Sequence, residues 1–291
     1  MASLKEIRAR ISSVSSTQKL TSAMKMVSAA KLHKSEEATL KFVPYKNKLS
    51  DMLSQYLSSV DTEKINITLA EKREVKKVAI ICISSCTGLC GTFNSNINKL
   101  LEKTIKEYSF LPEENILLYP IGKKISDYIK KTNRVPQCSA DELSAKPTYE
   151  DAIAFISPLV DKFINKEIDK IILLYNHHKN AASQIPTSET YLPLETIETK
   201  SNNKSYLYFT EPDIDTFINT LVPMVVRMKF YAAVIDSNTA EHGARTTAMQ
   251  IASDNANKML ESITQQYNRA RQEVITNELL DIVGGAEALR N

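Results

Sequence analysis

The sequence predicts an α/β protein in which long N- and C-terminal helices pair as an antiparallel coiled coil, with a central α/β domain between them. Three observations carry that expectation. Met224 to Val283 holds no proline and one glycine, Gly243, before the chain reaches Gly284-Gly285. A run like this fits one helix of roughly 60 residues, about 90 Å long at 1.5 Å per residue. The first 43 residues also lack glycine and proline. Between these ends, short apolar runs alternate with amphipathic stretches, the pattern of a mainly parallel sheet with helices packed on it.

The N-terminal segment reads as helix from Ser3 to about Ser59. Leu4, Ile7, Ile11 and Val14 step by three, four and three, an a/d-type seam. The expected seam passes through Gln18 and Thr21 and resumes as Met24, Val27 and Ala30. Small and sulfur-bearing residues crowd this part. They allow close approach and adapt to irregular surfaces. Pro44 is a candidate kink or short break. Leu49, Leu53, Tyr56 and Leu57 continue the apolar stripe.

In the middle, Val75–Ile83 reads as a buried strand and Asn94–Tyr108 as a helix with Ile97, Leu100, Leu101 and Ile105 on one face. Ile116–Ile121 is a second strand and Lys123–Lys131 a short helix. Tyr149–Asn165 is a helix interrupted at Pro158, and Lys170–Tyr175 is a third strand. Ser183–Glu195 and Ser205–Phe209 are candidate edge strands. The alternation describes a Rossmann-like domain over residues 70–210, flanked by coiled-coil helices over 1–60 and 211–291.

A short helix opens at Asp213, and Pro223 then restarts the chain at a helix first turn. In the long helix that follows, Met249, Ala252, Ala256, Met259 and Ile263 keep three-four spacing among polar neighbours. An antiparallel pair lets both terminal helices bury their stripes, because the middle domain returns the chain beside its start. Gly284-Gly285 is the expected stop.

Composition narrows the function. The chain has 291 residues, 43% hydrophobic and 24% charged, with only 6 glycines. So little glycine argues against a glycine-rich phosphate-binding machine. Net charge is +3, yet residues 1–50 carry ten Lys/Arg against three Glu, and a basic helix seeks an acidic surface. Cys82, Cys86, Cys90 and Cys138 include no Cys-x-x-Cys pair and have no histidine at zinc spacing. They read as reduced, mostly buried thiols of a cytosolic protein, and no metal is expected. No apolar stretch reaches the 18 residues of a transmembrane candidate, and the N-terminus lacks a signal-peptide apolar core.

Ser84-Ser85-Cys86-Thr87-Gly88-Leu89-Cys90-Gly91 follows a strand and precedes a helix, the place where α/β folds bind phosphate or hold a nucleophile. It matches neither dinucleotide nor P-loop patterns and has no lysine. It reads as a tight turn, with a reactive Cys86 or Cys90 as the alternative. His177-His178 reads as a solvated turn and His242 as a seam residue. No catalytic constellation emerges and no cofactor is expected.

Ile275–Leu289 closely resembles the C-terminal signature of the γ subunits of F-type ATP synthases. So does the N-terminus, Met1-Ala2-Ser3-Leu4-Lys5-Glu6-Ile7-Arg8, with Thr17-Gln18-Lys19 and Ala23-Met24-Lys25-Met26-Val27. Gly88-Leu89-Cys90-Gly91 with Phe93-Asn94-Ser95-Asn96 is similar to the family's loop after its first central strand. Glu241-His242, Arg245, Ala248-Met249, Ala252 and Asp254-Asn255-Ala256 are similar to its long C-terminal helix. The resemblance spans the chain. It departs at Cys86-Thr87, where the family usually has Asp-Arg, and is weak over Lys179–Lys204.

The resemblance implies a rotor shaft standing in a ring of three α and three β subunits, with the middle domain joining the ε subunit and the membrane c-ring. Rotation would couple proton flow to ATP synthesis or hydrolysis in β, so this chain would be a non-catalytic subunit. Basic Arg8, Arg10, Lys25 and Lys31 would meet an acidic loop of β, with Met24 making an adaptable sliding contact. By position, Arg245, Arg271, Gln272, Thr276 and Glu278 match residues that touch β in relatives. The lack of a chloroplast-type redox insert and of an organellar presequence implies a bacterial source. The implied location is the cytoplasmic side of the inner membrane, as a peripheral subunit.

Three rivals are weighed against this. A coiled-coil adaptor with an α/β head would need only seams that fit each other. An enzyme would bind nucleotide at Ser84–Gly91. A nucleic-acid binder would interleave aromatics with the basic residues of the first helix, and these are lacking.

Overall fold

A computed structural model describes residues 3–59, 68–71, 73–194 and 214–288. The described residues form helix α1 (Leu4–Ser59), strand β1 (Val78–Ile83), α2 (Phe93–Glu107), β2 (Ile116–Ile121), α3 (Lys123–Lys131), α4 (Asp141–Ala145), α5 (Tyr149–Ile164), β3 (Lys170–Asn180), β4 (Ser183–Leu192) and α6 (Ile214–Ala288). Two compact units result: Met1–Ser28 with Thr246–Asn291, and Ala29–Arg245.

In the larger unit the sheet order is β2-β1-β3-β4. β1 pairs in parallel with β2 and β3, and β3 turns back on β4 as an antiparallel hairpin. All six residues of β1, Val-Ala-Ile-Ile-Cys-Ile, are buried, because helices cover both faces of a parallel centre. Its pleat sorts them. Ala79, Ile81 and Ile83 face a core shared with α5 and the first part of α6, including Ile156, Phe163, Val226 and Phe230. Val78, Ile80 and Cys82 face a second core with Ile97 and Leu101 of α2 and Ile125 and Ile129 of α3. The sheet is therefore the middle layer of three.

α1 and α6 run antiparallel within this unit. Ser35 meets Thr239, with hydroxyls 2.6 Å apart. Further along α1 and further back along α6, Phe42 packs edge-on against Tyr231 at 5.1 Å. Leu32, Leu49 and Leu53 are the buried residues of the α1 stripe here, with Ser35, Thr39, Phe42 and Lys46 half-buried between them.

In the smaller unit the seam differs from the expected one. After Thr21 it proceeds through half-buried Lys25 to buried Ser28, while Met26 and Val27 are exposed at 64% and 58%. Met24 is half-buried, and Ala30, the first expected seam residue of the larger unit, is exposed. The reason is geometric: three residues turn a helix by about 300°, so successive steps of three drift to the opposite side, and only alternation with four holds a face. On α6, buried Met249, Ser253, Ala256 and Ile263, with half-buried Leu260, hold the seam, and Met259 is 46% exposed.

Several boundaries also change. Pro44, Pro158 and Pro223 all lie inside continuous helices. Pro158 does not interrupt α5, because Ile156, Leu159, Val160 and Phe163 are buried on both sides of it. Burial of this kind offsets the roughly 3 kcal/mol that an interior proline costs. Pro223 is held similarly by buried Leu221, Val222, Val225 and Val226, so α6 has 75 residues rather than restarting there. Gly284-Gly285 lie within α6 and do not end it. α4 was not foreseen. Ser205–Phe209 and Asp213 lie outside the described residues.

Candidate functional site

The polar groups of the larger unit converge where the β1–α2 loop meets α6. Ser84 closes the end of β1: its amide donates to the Ile121 carbonyl at 2.8 Å, and its hydroxyl accepts from the Ile125 amide at 3.0 Å. The Ser84 carbonyl accepts from the Ser144 hydroxyl, which brings α4 against the loop. Gly122 fits beside it with φ of 100°. The next residue, Ser85, is tied to α2, its amide donating to Asn94 Oδ1 at 3.1 Å and its hydroxyl to the Thr87 carbonyl at 2.6 Å. Asn94 Nδ2 donates to Cys90 Sγ at 3.2 Å. The loop is therefore a rigid turn, not an open cradle.

Neither thiol is presented as a nucleophile. Cys90 is buried against Phe93, Ala240 and Ala244, and burial pushes its thiol above the ordinary range. Cys86 Sγ donates to the Asp141 carbonyl at 3.0 Å.

From α6, residues 236–245 reach β3, α1, α4, α2 and the β1–α2 loop. Asn238 Nδ2 donates to the Ser144 carbonyl at 3.0 Å. Arg245 is 8% exposed, and its Nη2 donates to Thr87 Oγ1 at 2.9 Å. Its Nη1 pairs with Glu241 Oε1 at 2.8 Å. Glu241 is buried too, and desolvation raises its carboxyl above the usual range despite Arg245 and Lys31 nearby. Burial, then the Arg245 and Lys31 charges, pushes the adjacent His242 imidazole down to about 4.

His177-His178 lie in β3 rather than in a solvated turn, because β4 extends the strand to Asn180. His177 Nδ1 lies 2.6 Å from Asp236 Oδ2, and the His178 amide donates to Asp236 Oδ1 at 3.1 Å. His178 Nε2 lies 3.5 Å from Glu36 of α1. A cleft of about 460 Å³ opens beside them, with an apolar floor from Phe42, Val43, Ala232 and Ile235. Among the described residues, no three His, Cys, Asp or Glu side chains are placed to hold a metal ion.

Of the nine residues expected at a partner surface, Arg8, Arg10, Arg271, Gln272, Thr276 and Glu278 are exposed, and Met24 and Lys25 are half-exposed. Arg245 alone among them is buried, with its guanidinium engaged inside the chain. Sequence reasoning missed its acceptor Thr87 and the Asn238–Ser144–Ser84 relay. The α6 side chains of both tethers stand far from their partners in sequence, so only the fold joins them. The last turns of α6 expose Val274, Ile275, Leu279, Leu280, Ile282 and Val283.

The family model described as ATP synthase matches residues 3–289. An ATP synthase gamma chain of Phocaeicola vulgatus is 47% identical over 291 residues, covering 99% of this chain and 100% of the relative. The chain belongs to the ATP synthase gamma-chain family.

A second gamma chain of that family, from Bacteroides thetaiotaomicron, is 43% identical over 298 residues, covering 98% of this chain and 99% of the relative. Among solved structures, a chain of the Euglena gracilis mitochondrial ATP synthase shares the fold with a TM-score of 0.67 at 17% identity, covering 98% of this chain and 94% of that one. One from the Tetrahymena thermophila mitochondrial ATP synthase central stalk and c-ring has a TM-score of 0.59 at 22% identity, covering 80% of this chain and 99% of that one. Gamma chains are subunits of ATP synthase. Among the described residues, no helix is long and apolar enough to cross a membrane.

Proposed function

We propose that this chain is the non-catalytic rotor shaft of an F-type ATP synthase, coupling proton-driven turning of a c-ring to ATP synthesis or hydrolysis in a ring of three α and three β subunits. The observation that carries this reading is the end of α6. There, six large apolar side chains between Val274 and Val283 are exposed on a helix whose earlier seam is well packed. Apolar area on this scale calls for a partner, and an enclosing ring supplies one.

In this reading Arg8, Arg10, Met24 and Lys25 on α1, and Arg271, Gln272, Thr276 and Glu278 on α6, face the ring. Exposed charges there give partly screened attraction, which suits a shaft that turns past each β subunit without locking. The α/β domain joins the ε subunit and the c-ring, and the chain sits peripherally on the cytoplasmic side of a bacterial inner membrane. Family membership at 47% identity supports the rotor reading as a whole.

Co-expression with α and β subunits tests the proposal. Addition of this chain is expected to convert the subunits into a complex with cooperative, multisite ATPase activity. Subunits that hydrolyse ATP equally well without the chain would overturn it.

A further inference from the structure

The joint between the β1–α2 loop and α6 has an apolar part and a polar part with different mechanical properties. The apolar part is Ala240 and Ala244 against Phe93 and Cys90. Contact of this kind is non-directional, and alanine offers no knob to resist sliding. The polar part is two tethers. Asn238 holds the Ser144 carbonyl, whose side chain holds Ser84. Arg245 holds Thr87 Oγ1 at 2.9 Å, with the Thr87 and Gly88 carbonyls each at 3.5 Å. Arg245 lies seven positions after Asn238, so the tethers leave one face of α6 about 10 Å apart, two turns along the axis.

Arg245 is fixed from behind by Glu241 at 2.8 Å, and its Nη1 lies 3.5 Å from His242 Nδ1. Thr87 is fixed from its own side, because its carbonyl accepts from Ser85 and Ser85 is bound to Asn94 in the first turn of α2. A continuous line of directional contacts therefore runs from α6 through Arg245, Thr87, Ser85 and Asn94 into α2. Thr87 itself is exposed. Its hydroxyl can be removed without opening a cavity in either core.

We propose that Thr87 is a positioning residue, whose hydroxyl fixes Arg245 and through it locks the β1–α2 loop and α2 against sliding on α6. This rests on the rotor reading. Torque applied to the α/β domain reaches α6 through the shared core around Val226 and Phe230, through the Asp236–His178 hydrogen bond and across this joint, where directional hydrogen bonds resist shear and the alanine contact does not. Arg245 accordingly acts inside the chain.

The test compares Thr87→Val, which keeps shape and loses the acceptor, with Thr87→Ser, which keeps it. In membrane vesicles carrying the whole complex, Thr87→Val is expected to hydrolyse ATP at the wild-type rate while pumping fewer protons per ATP. Thr87→Ser is expected to match wild type in both. Equal pumping per ATP in Thr87→Val and wild type would overturn the lock. Hydrogen exchange on the isolated full chain provides a measurement independent of the rotor reading. Amides of residues 84–91 and 241–246 should exchange about tenfold or more faster in Thr87→Val, with the sheet unchanged, as expected from losing one charge-assisted hydrogen bond. If the variant does not assemble, that measurement decides, and unchanged exchange rejects the lock. If wild-type chain confers no ATPase, the rotor reading fails and the exchange result still judges the joint.

Discussion

A side chain at Gly122 would place its Cβ 2.3 Å from the carbonyl oxygen of Ser84. The backbone at Gly122 has φ of 100°, a region costly for any residue with a Cβ. The Ser84 carbonyl cannot retreat freely, since Ser144 donates to it, and the Ser84 hydroxyl accepts from Ile125. Gly122→Ala is therefore expected to cost about 2–4 kcal/mol through strain and overpacking. Urea unfolding of the isolated chain checks this. A midpoint equal to wild type would show that the loop yields more easily than these bonds suggest.

His242 gives stability a pH dependence of known sign. Its folded imidazole titrates near 4, below the unfolded value of 6.5. Between those values the unfolded chain binds a proton that the folded chain refuses, so stability falls as pH falls from 6.5 towards 4. The loss is on the order of 2–3 kcal/mol. Glu241 acts in the opposite sense. Its folded carboxyl titrates above 4.5, so it contributes stability at low pH that is lost as pH rises through its folded value. Unfolding free energies at pH 7 and pH 5 are expected to drop on acidification in wild type. In His242→Gln they should drop less or rise. A steeper drop in the variant would assign the dependence to another group.

The parts of this fold that were legible in sequence are those where local pattern and tertiary burial agree. The core of β1 reads directly from Val-Ala-Ile-Ile-Cys-Ile, because a strand buried on both faces needs nothing but apolar residues, although the strand begins at Val78 and not at the expected Val75. The bounds of α1, β2 and α3 were likewise plain. The seam beyond Thr21 was not, since buried Ser28 sits one residue from exposed Val27, and hydrophobicity alone selects the wrong one. Pro158 and Pro223 misled because packing on both sides overrides the local penalty. The inward turn of Arg245 was illegible for another reason: its acceptor Thr87 lies 158 residues away. An arginine on a charged helix gives no local sign of facing inward.

Met24 is half-buried on α1, beside exposed Met26 and Val27. Lysine at position 24 has room to extend its ammonium to solvent, so folding should change by less than about 0.5 kcal/mol. If Met24 faces the ring as proposed, the same charge in the assembled complex would add an attraction there that holds the rotor back. Met24→Lys is expected to lower proton pumping more than it lowers unfolding stability. Normal ATP-driven pumping together with normal ATPase activity would remove Met24 from the interface.

The end of α6 separates a shaft held by a partner from an adaptor whose seams need only each other. From Arg271 to Ala286 every residue is exposed, including Leu279, Leu280, Ile282 and Val283. Deleting Leu280–Asn291 removes no described buried side chain. The isolated chain should therefore unfold within about 0.5 kcal/mol of wild type, the usual range for surface changes. If the exposed apolar side chains turn within a ring, the same deletion should weaken assembly with α and β subunits or reduce pumping per ATP hydrolysed. Measuring both properties on one truncated chain makes the comparison internal. Unchanged stability with unchanged coupling would favour the adaptor, because the exposed apolar end would then have no partner to lose.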